Sequence, residues 1–304
     1  MAGKLMHALQ YDSYGGGTAG LKLLHVQVPV PSPKRNEVLL KLEAISINPI
    51  DWKIQKGMIR PFLPRKFPFI PATDVAGEVV EVGSGVKNLK AGDKVVGIVS
   101  YLTGGGLAEY VVVSPNVTIK RPQEVGADEA AALPVPAASG GVGHYAVQLA
   151  KLGNAHVTAT CGARNIDFVK SLGADEVLDY KTPEGATLKS PSGKKYDVVI
   201  HCANSIPFST FEPNLSKNGK VIDITPRPSA IWTYAVKKLT MSKKQFVPLF
   251  LIQKLAENLK YLVNLVKEGK VKTVIDSKYS LSKAEDAWAK SIDGHAAGKI
   301  IVEP

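Results

Sequence analysis

Cysteine is nearly absent: Cys161 and Cys202 are the two in 304 residues. A lone pair excludes a disulfide framework and a four-cysteine zinc lobe, and it fits a reducing compartment. Long apolar runs are missing too. The best of them, Phe246 to Ile252, contains Pro248 and soon meets Lys254. It falls far short of the roughly 18 residues a spanning helix needs, so the chain is not expected to cross a membrane. The N-terminus has no signal-peptide apolar block, and with Asp12 and a glycine run it is not an acid-poor import leader. Acidic side chains are the scarcer sign, 27 against 38 basic ones. The resulting charge of +11 favours anionic partners without choosing among phosphate, nucleic acid and lipid. Basic and aromatic residues do not interleave in a way that suggests nucleic-acid binding.

What is present is ordinary globular stock, 45% hydrophobic, with 27 Gly and 20 Pro that announce many turns. The length suggests two domains. Up to residue 130, short β-branched runs alternate with turn formers: Glu37 to Ile47, Gly77 to Val82, Lys94 to Val99, Ala108 to Val113 and Val117 to Lys120. This predicts an antiparallel, barrel-like β domain over 1–130. From Gly140 helix and strand patterns alternate, with strands expected at Ala155 to Thr160, Glu176 to Asp179, Asp197 to Cys202 and Lys220 to Ile224. Such alternation predicts a parallel sheet with helices on its faces over 131–270. An amphipathic helix is expected over Leu251 to Val266, then closing strands at Lys270 to Ile275 and Lys299 to Val302, so that 271–304 rejoins the first domain.

Ala138-Ser139-Gly140-Gly141-Val142-Gly143 is a variant dinucleotide turn with Ala at the first glycine position. Its glycines would let backbone approach a pyrophosphate at a helix N-terminus, although a plain helix-capping loop is the alternative. After the next predicted strand comes Cys161-Gly162-Ala163-Arg164-Asn165, with no carboxylate for a ribose 2′-hydroxyl. An arginine there suits a 2′-phosphate, hence NADPH over NADH, unless Arg164 is only a solvated side chain. Upstream, Leu133-Pro134-Val135-Pro136-Ala137 cannot be a buried central strand, because two prolines remove ladder donors.

Asn48-Pro49-Ile50-Asp51-Trp52-Lys53, Pro71 to Gly83, Gly92-Asp93-Lys94-Val95, Gly106 to Tyr110, the glycine turn, Leu172-Gly173-Ala174-Asp175 and Gly298-Lys299-Ile300-Ile301 together resemble the zinc-independent medium-chain dehydrogenase/reductases, in their quinone oxidoreductase branch. The resemblance spans nearly the whole chain. It implies an α/β plus β architecture: a GroES-like substrate domain and a Rossmann doubly wound NADPH domain. It also implies hydride delivery to an enone or quinone C=C bond. Where zinc alcohol dehydrogenases carry Gly-His-Glu this chain has Ala72-Thr73-Asp74, so no metal is expected. A helix and the first Rossmann strand, which family members carry before the glycine turn, are gone, and the reading is an internal deletion. A catalytically impaired variant acting at a membrane or on a partner is the alternative to the enzyme.

By resemblance, Gly140, Gly141, Val142 and Gly143 would face the pyrophosphate. Gly162, Ala163, Arg164, Asn165 and Tyr180 would surround the adenosine phosphate. Lys53 would reach the cofactor, Ile224 would line the nicotinamide side, and His295 with Ala296 would close the cleft. Lys53 could instead be a surface lysine and His295 a loop residue. Asn48 and Asp51 are the polar candidates near the substrate oxygen, although Asn-Pro-x-Asp could equally be turn chemistry. Proton delivery could come from solvent or a tyrosine. Late lysines, among them Lys237, Lys238, Lys243, Lys260 and Lys267, would suit an anionic membrane surface or simply a solvated face. Plant envelope-associated members of the branch imply a chloroplast inner-envelope location and a homodimer.

Overall fold

A computed structural model describes residues 3–15, 23–134, 141–202, 206–224, 228–249 and 255–304. The chain forms two compact units, one of 1–136 with 254–304 and one of 137–253.

The first unit opens with β1 (Leu5–Gln10) and β2 (Leu24–Pro29), an antiparallel pair. Then follow β3 (Val38–Ile47), α1 (Pro49–Gln55), β4 (Asp74–Val82), β5 (Lys94–Ile98), β6 (Tyr110–Val113), β7 (Thr118–Lys120) and α2 (Ala127–Ala131). In the β3 run, alternate residues point to opposite faces. Leu40 and Leu42 therefore join the main core with Val75, Val79 and Val95, while Leu39 packs on the other side with Met6 and Ala8. Gly77 stands opposite Leu42 at a register shift, where a Cβ would lie 2.2 Å from the Lys41 carbonyl oxygen. Only glycine lets the two backbones approach that closely.

The second unit holds α3 (Gly141–Leu152), β8 (Thr158–Cys161), α4 (Ile166–Ser171), β9 (Glu176–Asp179), α5 (Pro183–Ala186), β10 (Tyr196–His201), α6 (Phe208–Phe211), β11 (Leu215–Asp223), α7 (Pro228–Leu239) and β12 (Gln245–Pro248). Every ladder in it is parallel. The chain returns to the first unit with α8 (Leu255–Lys267), β13 (Ile275–Ser280), α9 (Ala284–Asp293) and β14 (Lys299–Glu303). There β14 pairs antiparallel with β3 and parallel with β13, completing a seven-stranded mixed sheet in the order β13-β14-β3-β4-β5-β7, with β6 also on β3. No ladder among the described residues closes this sheet into a barrel.

Three expectations need correction. The amphipathic helix near 260 belongs to the first unit, because α8 buries Leu259 and Val263 and packs against β7. The strand expected at Lys270 to Ile275 starts only at Ile275, where its register with Lys299 on β14 begins. The strand expected from Ala155 starts at Thr158, since the Asp175 carboxylate takes the Val157 N–H at 2.7 Å before the ladder with β9 can form.

In the second unit the sheet is divided. One part is β8-β9 and the other β10-β11-β12, with no ladder joining them among the described residues. A doubly wound sheet has the order 3-2-1-4-5-6. In chain order β8 and β9 correspond to strands 2 and 3 of that order, and β10, β11 and β12 to strands 4, 5 and 6. Of the Leu133-Pro134-Val135-Pro136-Ala137 stretch, the residues from Val135 on lie outside the described residues.

Candidate functional site

In the first unit, chemistry-bearing residues gather where β3 runs into α1. Asn48 is the N-cap of α1 and Pro49 its first residue, a position where a missing N–H costs nothing. The Asp51 carboxylate accepts the Asn48 N–H at 2.7 Å. The Asn48 carboxamide turns inward instead: its Nδ2 donates to Asp74 Oδ2 at 3.0 Å and to the Ser46 carbonyl at 3.3 Å, and its Oδ1 accepts from Lys299 Nζ at 2.6 Å. Lys299 lies 4.0 Å from Asp74 Oδ2, and all four side chains are buried. The turn chemistry of Asn-Pro-x-Asp is therefore realised on Asp51, while the amide of Asn48 is committed to the interior.

Burial dominates the electrostatics of this cluster. It pushes Asp51 up to about 8, with the Asp74 charge adding to the rise, while the Asn48 N–H and Lys299 oppose it. It pushes Lys299 down against the pull of Asp74 and Asp51. The buried Lys299 amine lies beside the Asp74 carboxylate and hydrogen-bonds to the Asn48 amide that also reaches Asp74. The Tyr101 phenol, in the turn after β5, is raised far above its ordinary value by burial and by the charges of Asp74 and Asp51. It is a protonated donor at any physiological pH. Lys53, half-buried on α1, has its Nζ 5.7 Å from the Trp52 ring centre and is pushed below the usual lysine value by burial. No carboxylate pairs with it among the described residues.

His295 follows Gly294, whose φ of 73° ends α9 in the left-handed region. Its Nδ1 lies 2.9 Å from Asp293 Oδ2 in an exposed loop. Ala296 packs instead against the first unit's core.

In the second unit, Gly140 lies outside the described residues, while α3 begins at Gly141 and continues through Val142 and Gly143. Its first turn holds backbone N–H groups with no intrahelical acceptor. A Cβ built on Gly143 would meet nothing within 4 Å among the described residues. After β8, Gly162, Ala163, Arg164 and Asn165 form a tight turn into α4. The Tyr180 N–H bonds to the Cys161 carbonyl at 3.1 Å, and the Tyr180 phenol would lie 3.5 Å from a Cβ on Gly162. The structure thus brings Gly162, Arg164 and Tyr180 together at the C-terminal ends of parallel strands, where open α/β sheets bind ligands. Ile224 directly follows β11, its N–H bonded to the His201 carbonyl at 3.2 Å.

Sequence reading missed Lys299 as a site residue, and with it Thr73, Asp74 and Tyr101. The signal available was a lysine opening the apolar strand Lys299-Ile300-Ile301-Val302, where only a partnered charge can be buried.

A profile described as alcohol dehydrogenase GroES-like domain matches residues 34–123, and one described as zinc-binding dehydrogenase matches 172–302. The chloroplast envelope quinone oxidoreductase homolog of Arabidopsis thaliana is 76% identical over 332 aligned positions that cover all of both chains. The chain belongs to the quinone oxidoreductase branch of the medium-chain dehydrogenase/reductases. The NADPH-dependent alkenal/one oxidoreductase of Arabidopsis thaliana is 30% identical, covering 99% of this chain and 80% of that one. The solved quinone oxidoreductase of Coxiella burnetii superposes with a TM-score of 0.87 at 30% identity, covering 99% of this chain and all of that one. An alignment of 332 positions against 304 residues leaves at least 28 positions of the 76% identical relative without a counterpart here.

Proposed function

We propose that this chain is an NADPH-dependent reductase of the C=C bond in α,β-unsaturated carbonyls or quinones. The carrying observation is the pairing of an open α3 N-terminus with the Gly162, Arg164 and Tyr180 cluster in one unit. The first suits a diphosphate, and the second suits a 2′-phosphate that a carboxylate would repel. The names of the 76% and 30% identical relatives support quinone and alkenal chemistry respectively. When bound, NADPH supplies a hydride to the β-carbon.

The chain's own groups do the rest. The first turn of α3 and Arg164 hold the cofactor's anions. Tyr101, beside Thr73 and Asp74, is the donor assigned to the α-carbon, so that hydride and proton together saturate the bond. Lys299 keeps the Asn48 amide and the Asp74 carboxylate in place. The site needs no metal, because a buried ammonium already stands where a cation would meet Asp74, and a divalent ion beside it would be repelled.

Thermal denaturation with and without millimolar NADPH tests this reading. A ligand specific to the folded state must raise Tm, and NADPH oxidation with an enone or a quinone should follow. An unchanged Tm with no turnover overturns it.

The divided sheet favours a second reading, the impaired variant acting at a membrane. On α7 and just beyond it, Trp232, Leu239 and Met241 are 74%, 84% and 88% exposed, and Lys238 lies beside Leu239 in a shallow groove. Apolar side chains rimmed by lysines suit an anionic lipid surface, and the chloroplast location named for the relatives supplies one. Co-sedimentation with anionic vesicles, lost in Trp232→Ser with Leu239→Ser, tests it. The homodimer stays part of the proposal, checked by native mass.

A further inference from the structure

One carboxylate in the second unit gathers hydrogen bonds from two separate segments. Glu176 opens β9, and its Oε2 accepts from Thr158 Oγ1 on β8 and from Ser190 Oγ, both at 2.6 Å. Its Oε1 accepts the Ser192 N–H at 3.0 Å. Burial alone would raise this carboxyl, yet hydrogen bonds from Ser190, Ser192 and Thr158 hold it at about 2. Glu176 thus clasps the start of β8 to the turn that precedes β10. That turn is Ser190-Pro191-Ser192-Gly193, closed by the Gly193 N–H on the Ser190 carbonyl at 2.9 Å. Proline at the second position and glycine at the fourth suit a tight turn of this kind.

The two serines of the turn have different parts in the clasp. Each hydroxyl carries a single proton. Ser190 donates its proton to Glu176, so in the 2.9 Å contact between the two hydroxyls Ser192 is the donor. Ser190 is buried, whereas Ser192 is exposed at the tip of the turn, where an enzyme can reach its Oγ. The surroundings of the tip are basic. Lys189, Lys194 and Lys195 are all exposed, and no acidic residue falls between Glu184 and Asp197 in the sequence. Lys195 donates to the Pro213 carbonyl at 2.8 Å. Neither Lys189 nor Lys194 pairs with a carboxylate among the described residues.

We propose that Ser192 is a phosphorylation site, modified by a serine/threonine kinase that recognises the flanking lysines, and that its phosphate opens the Glu176 clasp. In the step, Ser192 Oγ forms a bond to the γ-phosphorus of ATP, the bond to the ADP leaving group breaks, and the hydroxyl proton passes to the kinase's base. The product oxygen is an ester and no longer donates to Ser190. The phosphate carries about −1.5 to −2 charges at neutral pH. Glu176, bonded to the backbone N–H of the same residue, repels it, while Lys189 and Lys194 offer it exposed cations. The turn therefore has two arrangements, one held by a carboxylate and one by lysines. Because β8 leads into the Arg164 turn, the clasp steadies the ladder that carries that turn. The proposal does not depend on cofactor binding.

The test uses the intact folded chain, ATP and a kinase catalytic domain selective for serine flanked by lysine. Incorporation should approach one phosphate per chain, map to Ser192 by mass spectrometry and vanish in Ser192→Ala. Lys189→Ala combined with Lys194→Ala should slow it at least about tenfold. Once phosphorylated, the chain should exchange amide hydrogens at least about tenfold faster over 158–161 and 188–196, with little change in β3 and β4. Glu176→Gln keeps an acceptor and removes the repelling charge, so it should cut that acceleration to under about threefold. If this variant fails to fold, salt at about 1 M should have the same effect on the phosphorylated wild type by screening the repulsion. Incorporation below about 0.1 phosphate per chain, or phosphate mapped to another residue, would overturn the site. So would unchanged exchange after full modification, or an acceleration that survives both Glu176→Gln and high salt.

Discussion

The two units are built from similar residues and differ in how completely they bury them. In the first, β3 lies between β14 and β4 and also pairs with β6, and Val38, Leu39, Leu40, Ile45, Val75 and Val79 have no exposure above 1%. In the second, no ladder joins β8 to β10 among the described residues, and β10 keeps Val198 and Ile200 nearly half in water. A strand with a ladder on one side only is an edge, and an edge leaves a row of backbone groups outside the sheet. Cooperativity should follow burial, with the first unit holding the global stability and the second opening below it.

The largest effect that would expose this contrast is in hydrogen exchange. Amides of β10 and β8 should exchange roughly 100-fold or more faster than those of β3 and β4 under native conditions. Equal protection in both sheets would break the comparison. Next come paired truncations. Leu40→Ala empties a fully buried position and should cost about 2–5 kcal/mol in denaturant unfolding. Ile200→Ala, starting from 45% exposure, should cost under about 1 kcal/mol. Similar losses at the two sites would mean that β10 is packed by something other than the elements described.

Much of this contrast was legible in the chain itself. Pro134 and Pro136 exclude a central strand before α3 whatever the surroundings, since neither can donate to a ladder. The alternation after 140 sets out the parallel halves because each strand run is short and β-branched. What stayed hidden depends on distance in sequence. Lys299 meets Asn48 across 251 positions, and no periodicity joins them. The pairing of β1 with β2 was missed for a nearer reason, since β2 exposes both Leu24 and His25 and so lacks the clean two-residue alternation of a half-buried strand. The boundary of the second unit was misplaced because an amphipathic helix shows which of its faces is apolar but not which sheet that face will cover, and α8 covers the first.

A smaller effect lies in pH. Asp51 is raised to about 8 in the folded chain, chiefly by burial, with Asp74 adding to the rise and the Asn48 N–H and Lys299 opposing it. Tyr11 and Tyr101 also feel its charge. An unfolded aspartate titrates near 3.9. Between those values the folded state holds a proton that the unfolded state has released, so stability falls as pH rises from about 4 toward 8. Asp51→Asn keeps an oxygen for the Asn48 N–H and removes the titration. The difference in unfolding free energy between wild type and variant should shift in favour of the variant from pH 6 to pH 8.5. A parallel pair of pH profiles would show that the carboxylate is already charged in the folded state, and would return Asp51 to an ordinary helix cap.

The smallest effect concerns cofactor choice, and it asks whether the second unit still reads a nucleotide despite its divided sheet. Arg164 sits on the turn that leaves β8, and that turn rests on the intact β8-β9 ladder, which pairs Cys161 with Asp179. Tyr180 packs beside Gly162 in the same corner. The proposed 2′-phosphate contact is thus held by the β8-β9 ladder, whereas the proposed diphosphate contact lies at the head of α3. Arg164→Ala should therefore narrow the NADPH over NADH preference by roughly five- to tenfold, the worth of one charge-assisted contact to a phosphate. Affinity for NADH itself, measured by fluorescence titration, should stay within about twofold, because that cofactor has no 2′-phosphate to lose. If both cofactors weaken together, the arginine supports the turn as a whole and does not read the phosphate. An unchanged ratio would remove Arg164 from cofactor recognition altogether.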